Sequence, residues 1–117
     1  MQDENMNVAD NNSKPVQLDN GNFDSEVLES KRPVLVGFLA PWSQACRILA
    51  PVLNEIASEH SGKLKVVRVD ADKCLDLSLW YDVRSVPTLL YFIHGSVRTK
   101  IIGAATKEAI LSKLELS

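Results

Sequence analysis

The sequence has little that would staple, metallate or anchor a fold. It contains two cysteines and two histidines in 117 residues, too few for a disulfide-rich secreted scaffold. Cys46 and Cys74 are spaced too widely to form a close metal-ligand pair with His60 or His94. Neither a metal nor a cofactor is expected. No apolar run approaches the roughly 20 residues of a membrane helix, and residues 1–17 lack the basic, then apolar, then small-residue order of a secretory leader. The expectation is a cytoplasmic protein without membrane contact. Charge of one sign is also scarce: 13 Lys and Arg face 15 Asp and Glu, for a formal net charge of −2. No basic stripe forms, which argues against a nucleic-acid partner.

What is present is an apolar content of 45%, enough at this length for one core and not for two. Residues 1–14 are polar and rich in Asn and Asp, and read as a flexible arm ahead of a single domain over residues 15–117. Within the domain, Val16-Gln17-Leu18 suits a short strand, and Asn22 suits the cap of a first helix over Phe23 to Ser30. Val34 to Leu39 is nearly continuous in apolar residues, as in a strand covered on both faces. Cys46, Leu49, Leu53 and Ile56 then recur at helical spacing up to about His60, with a kink expected at Pro51. Leu64 to Val69 completes a strand–helix–strand crossover with parallel strands. Asp72 is positioned to cap a short helix through Leu75, Leu79 and Trp80. A hairpin of Thr88 to Ile93 and Val97 to Ile102, turning at His94-Gly95, precedes a last helix capped by Thr106. The pattern predicts an α/β fold: a central mixed sheet of four to five strands with helices on both faces.

The chemistry concentrates in Ala40-Pro41-Trp42-Ser43-Gln44-Ala45-Cys46-Arg47, where the chain passes from a buried strand into a helix start. Backbone N–H groups and the helix dipole stabilise negative charge at such a place. A cysteine at its first position would gain thiolate character, and another three residues on could resolve a mixed disulfide. Here the first of these positions is Ser43 and the second Cys46.

This loop, Pro51 beyond Cys46, Val69-Asp70-Ala71-Asp72, Val86-Pro87-Thr88, Gly95 and Gly103 occur in the order and spacing of the thioredoxin family, which the chain resembles from about Val16 onward. The resemblance implies a thioredoxin fold and a protein-disulfide reductase that uses a Trp-Cys-Gly-Pro-Cys loop. It puts Ser43 where the attacking cysteine stands and Cys46 where the resolving one stands. It implies a cis peptide before Pro87, and a substrate groove of Trp42, Val86 and Pro87 in which Val86 pairs with an extended chain as an added strand. The partners so implied are disulfide-containing or extended proteins and a thioredoxin reductase, with the protein itself a monomer.

Several departures from the family pattern bear on mechanism. A serine hydroxyl stays protonated near neutral pH and forms no disulfide, so dithiol activity should be absent. Gln44-Ala45 replaces Gly-Pro, Gly37 stands at the family's buried aspartate, Leu39 at a common tryptophan, and Arg68 at a lysine whose acidic partner is then missing. Each residue also has a plainer reading. Ser43 is a good helix cap, worth about 1 kcal/mol; Cys46 on an apolar face behaves as a small hydrophobe; Trp42 packs. Cys74 sits early in a short helix, where its thiol could be exposed, with Asp72 and Asp76 opposing ionisation. Two functions therefore stand side by side: a thioredoxin-like oxidoreductase whose nucleophile position holds serine, and a redox-silent peptide-binding or chaperone-like module on the same scaffold.

Overall fold

A computed structural model describes residues 14–114 of the chain. The polar arm expected over residues 1–14 therefore lies outside them, Lys14 excepted. The described residues form β1 (Val16–Leu18), a short π-type helix α1 (Asp24–Leu28), β2 (Val34–Leu39), α2 (Gln44–Glu59) and β3 (Lys65–Asp70). There follow α3 (Leu75–Trp80), β4 (Thr88–Ile93), β5 (Ser96–Ile102) and α4 (Lys107–Leu114).

All six residues of β2 are buried, and the strand lies at the centre of a sheet ordered β1-β3-β2-β4-β5. β3 runs parallel to both β1 and β2, while β4 is antiparallel to β2 and β5 to β4. The continuous apolar run of β2 follows from that position, because both of its faces are covered. Alternate residues feed two cores. Leu35 and Leu39 pack with Leu49, Leu53 and Ile56 of α2 and with Ile110 and Leu114 of α4. Val34, Val36 and Phe38 pack on the other face with Phe23, Val27 and Phe92. Fully burying each Leu, Ile or Phe contributes about 1.5–3 kcal/mol, so the sheet and α2 are held mainly by these contacts.

Gly37 falls by this alternation on the α2 face. A Cβ built there would meet Leu53 Cδ1 at 3.0 Å and Leu89 Cδ2 at 3.4 Å. Across the β2–β3 pairing Gly37 faces Arg68. The β4–β5 turn uses positive φ at His94 (51°) and Gly95 (82°), the requirement of a two-residue hairpin turn. At Gly95 a side chain would also meet the backbone oxygen of Leu28, 3.0 Å from an ideal Cβ.

Two helix expectations are corrected. The first helix is shorter than Phe23 to Ser30, and its N-cap is Phe23 with no side-chain cap. Asn22 instead accepts the Asp19 N–H through Oδ1 at 2.9 Å, so its amide is spent on the preceding turn. Likewise α3 starts after Cys74 without a side-chain cap, because Asp72 is engaged elsewhere. In α3 the inward positions belong to Leu77 and Ser78, whose hydroxyl donates to Ala71 O at 3.3 Å. Leu75, Leu79 and Trp80 are exposed: a six-residue helix has one inward face, and these three side chains lie off it. The neighbouring Tyr81 does pack inward, with ring centroids 5.6 Å from Phe23 and 5.4 Å from Phe92.

Candidate active site

β2 ends at Leu39, and the chain turns through Ala40-Pro41-Trp42 into α2. The turn closes with the Ser43 N–H donating to Ala40 O at 3.2 Å. Ser43 is the N-cap of α2, extended at φ −87° and ψ 122°, and its Oγ accepts the Cys46 N–H at 3.2 Å. Serine thus satisfies one of the donors that a helix start leaves open. Three residues on, the Cys46 side chain turns back under the loop, where its Sγ accepts the Ala40 N–H at 3.4 Å. Arg47 ties the same loop from outside, its Nη1 donating to Pro41 O at 2.9 Å. The helix continues unbroken through Pro51.

Ser43 and Cys46 are both buried, whereas Trp42 is 68% exposed. Its indole is nevertheless oriented, because Nε1 donates to Asp72 Oδ2 at 2.6 Å. Asp72 in turn belongs to a turn in which Asp70 Oδ1 accepts the N–H groups of Asp72 and Lys73 at 2.9 and 3.2 Å. Nothing in the sequence pairs a tryptophan with an acid 30 residues away; β2 and β3 bring them together by ending at the same edge.

The antiparallel register Phe38↔Thr88 sets the start of β4 beside the end of β2. The loop from Ala40 to Cys46 and the segment Val86-Pro87 therefore occupy one end of the sheet. The Val86–Pro87 peptide is cis. Pro87 O accepts the Gly103 N–H at 2.8 Å, and the Thr88 hydroxyl donates to Ser85 O at 2.8 Å. Val86 is partly buried and touches both cores. All five residues singled out from the sequence, Trp42, Ser43, Cys46, Val86 and Pro87, thus converge on one end of the fold.

Beneath the loop the charge pattern is unusual. Arg68 Nε is fully shielded and has no hydrogen-bond partner among the described residues, while Gly37 opposite it offers no side chain. Cys74 is buried, not exposed, which corrects the expectation for its thiol; desolvation, then the carboxylates of Asp70 and Asp19, push its pKa up. Cys46 and Cys74 are both free. No group of His, Cys, Asp and Glu among the described residues could hold a metal ion, and no described helix is long and apolar enough to cross a membrane.

A parallel-centred sheet whose first crossover helix opens on a Ser-x-x-Cys loop, next to a cis proline at the head of the neighbouring strand, defines the class: an α/β protein with its candidate site at a strand-to-helix turn. Comparison with known proteins agrees. The family model described as Thioredoxin matches residues 14–116. The chain is 42% identical over 103 residues to thioredoxin 1 of Nostoc sp., covering 88% of this chain and 96% of that protein. It is 40% identical over 99 residues to thioredoxin of Synechocystis sp., covering 85% and 92%. It is also 40% identical over 109 residues to chloroplastic thioredoxin M5 of Oryza sativa subsp. japonica, covering 93% of this chain and 62% of that longer one. The chain belongs to the thioredoxin family, a family of thiol–disulfide oxidoreductases.

Proposed function

We propose that this chain presents the thioredoxin groove to disulfide-containing or extended polypeptides, with Ser43 at the attacking position and Cys46 at the resolving one, and that as it stands it does not turn over disulfides. The observation that carries this reading is the Ser43 Oγ accepting the Cys46 N–H at 3.2 Å: the position that would hold the nucleophile is spent on capping α2. In a dithiol protein a first thiolate attacks the substrate disulfide, releasing one substrate thiolate, and a second thiol then displaces the other sulfur and closes the intramolecular bridge. Here Cys46 alone could exchange once to a mixed disulfide and stop, since the loop contains no second sulfur to release it.

Binding is the part that remains. Trp42 offers a flat, exposed apolar surface held by Asp72. Val86 ahead of Pro87 offers backbone to an extended chain as an added strand. A monomer in the cytoplasm, meeting protein substrates and, once a nucleophile is restored, a thioredoxin reductase, fits this reading.

A second reading, a redox-silent peptide-binding or chaperone-like module, is favoured by Gly37: the space of a buried acid is taken by Leu53 and Leu89, so more than the nucleophile has changed. The test is insulin reduction with dithiothreitol as electron source, comparing this chain with Ser43→Cys. Activity in the variant alone supports an oxidoreductase scaffold missing its nucleophile. Two inert proteins support the silent module, and catalytic turnover by the unaltered chain would refute the proposal.

A further inference from the structure

We infer that the outer face of α3 is a docking surface for a basic, amphipathic segment of another protein. Leu75, Leu79 and Trp80 are 61%, 79% and 81% exposed, on a helix only six residues long. At about 100° per residue, Leu75, Leu79, Asp76 and Trp80 succeed one another round its outer arc, while Leu77 and Ser78 point inward. Large apolar side chains exposed singly are ordinary, but three side by side mark a contact surface. None of Trp42, Ser43, Cys46, Val86 and Pro87 belongs to it, so its failure and that of the function proposed above are separate results.

Charge decides the occupant. Asp76 stands between the Leu75–Leu79 row and Trp80, and it has no ion pair among the described residues. Residues 70–84 hold Asp70, Asp72, Asp76 and Asp82 against Lys73 and Arg84, and Arg84 is already paired with Asp82 at 2.8 Å. A lysine or arginine flanked by apolar residues would set its charge against Asp76, lay its stem on the two leucines and bring its head to the Trp80 indole, whose face attracts a cation. The same acids repel an acidic partner and an anionic lipid surface. Two copies of this chain meeting at α3 would bring their Asp76 carboxylates together. Three side chains also fall short of the roughly 800 Å² that each partner gives to a stable interface, so the contact with a basic segment is a weak, transient one.

The test is an amide-resolved NMR titration of the full chain with a short amphipathic peptide of leucine and lysine, set against its leucine–glutamate counterpart and a lysine-only peptide of equal charge. Expected is saturable, salt-sensitive binding of the leucine–lysine peptide that moves the amides of Leu75 to Trp80. The other two peptides should bind about ten-fold more weakly or not at all. Leu75→Ser combined with Leu79→Ser should weaken binding about ten-fold, and Asp76→Asn about three-fold with a smaller dependence on salt. All three positions are exposed, so both variants should keep the amide spectrum of the rest of the fold. The inference is overturned by absence of saturation, by shifts centred elsewhere, by equal binding of either control peptide, or by undiminished affinity in whichever variant folds. It is also overturned by α3 shifts that grow with protein concentration alone, which would make the occupant a second copy, or by α3 shifts on phosphatidylcholine–phosphatidylglycerol vesicles, which would make it a membrane.

Discussion

The tip of Leu53 stands where a side chain on Gly37 would go: a Cβ built on Gly37 lies 3.0 Å from Leu53 Cδ1. Leu53 is wholly buried on the α2 face, so it has little room to yield. Overpacking of such a site costs about 1–3 kcal/mol, against which replacing a strand glycine returns roughly 0.5–1 kcal/mol. Gly37→Ala is therefore expected to lower stability by about 1–2 kcal/mol in urea denaturation. Leu53→Ala alone should cost about 2–5 kcal/mol. Since each change relieves the other, the double variant should lose less than the sum; strict additivity would show that the two side chains do not compete for this space.

Ser43 acts on stability as a cap. Ser43→Ala removes the acceptor of the Cys46 N–H and is expected to cost about 1 kcal/mol, whereas Ser43→Gly should cost only a few tenths. Chemical denaturation of the two variants distinguishes this from a packing role, which would make glycine the worse substitution.

Cys74 makes stability fall in alkali. Burial and the carboxylates of Asp70 and Asp19 raise its thiol pKa in the folded state. An acid with a raised folded pKa binds its proton more tightly folded than unfolded. Its contribution is therefore fully present below the unfolded thiol pKa of about 8.5 and is lost as pH rises through the folded value. The expected result is a decline in melting temperature above that pH that is flatter in Cys74→Ala. An identical slope in both proteins would remove Cys74 as its cause.

Asp72 holds the exposed indole of Trp42, its Oδ2 accepting the Nε1–H at 2.6 Å. In a Trp80→Phe background, so that Trp42 alone is observed, Asp72→Ala should lower the steady-state anisotropy of Trp42, and Asp72→Asn, which keeps an oxygen acceptor, should preserve most of it. The stability change should stay within about 1 kcal/mol, because the bond is exposed. Unchanged anisotropy in Asp72→Ala would mean that packing alone orients the indole.

The elements that the sequence makes plain are those with strong periodicity or a complete apolar run. β2 and β4 run over the residues expected, and α2 ends one residue short of His60. Val34 to Leu39 has no polar residue to expose, and the helical spacing of Cys46, Leu49, Leu53 and Ile56 leaves one inward face. The weak elements misled for a common reason. Asn22 and Asp72 are good caps by type, but a side-chain oxygen goes to the nearest unpaired donor, here the Asp19 N–H and the Trp42 indole. Leu75, Leu79 and Trp80 look like core by composition, yet α3 turns only Leu77 and Ser78 inward.

The same division holds at the candidate site. The linear order of residues was enough to place Trp42, Ser43 and Cys46 on one strand-to-helix loop, to suggest Ser43 as a cap, and to show that this loop carries a single sulfur. These are local properties, governed by neighbours three or four residues away. Only the folded chain decided that Val86-Pro87 stands beside that loop, that Asp72 fixes Trp42, that Cys74 is buried, and that Leu53 fills the void at Gly37 while the Arg68 Nε is left without a partner among the described residues. Each of those depends on strand order and register, which join positions such as Gly37 and Leu53, 16 residues apart, and Phe38 and Thr88, 50 residues apart, and side-chain spacing along the chain does not encode distances of that kind.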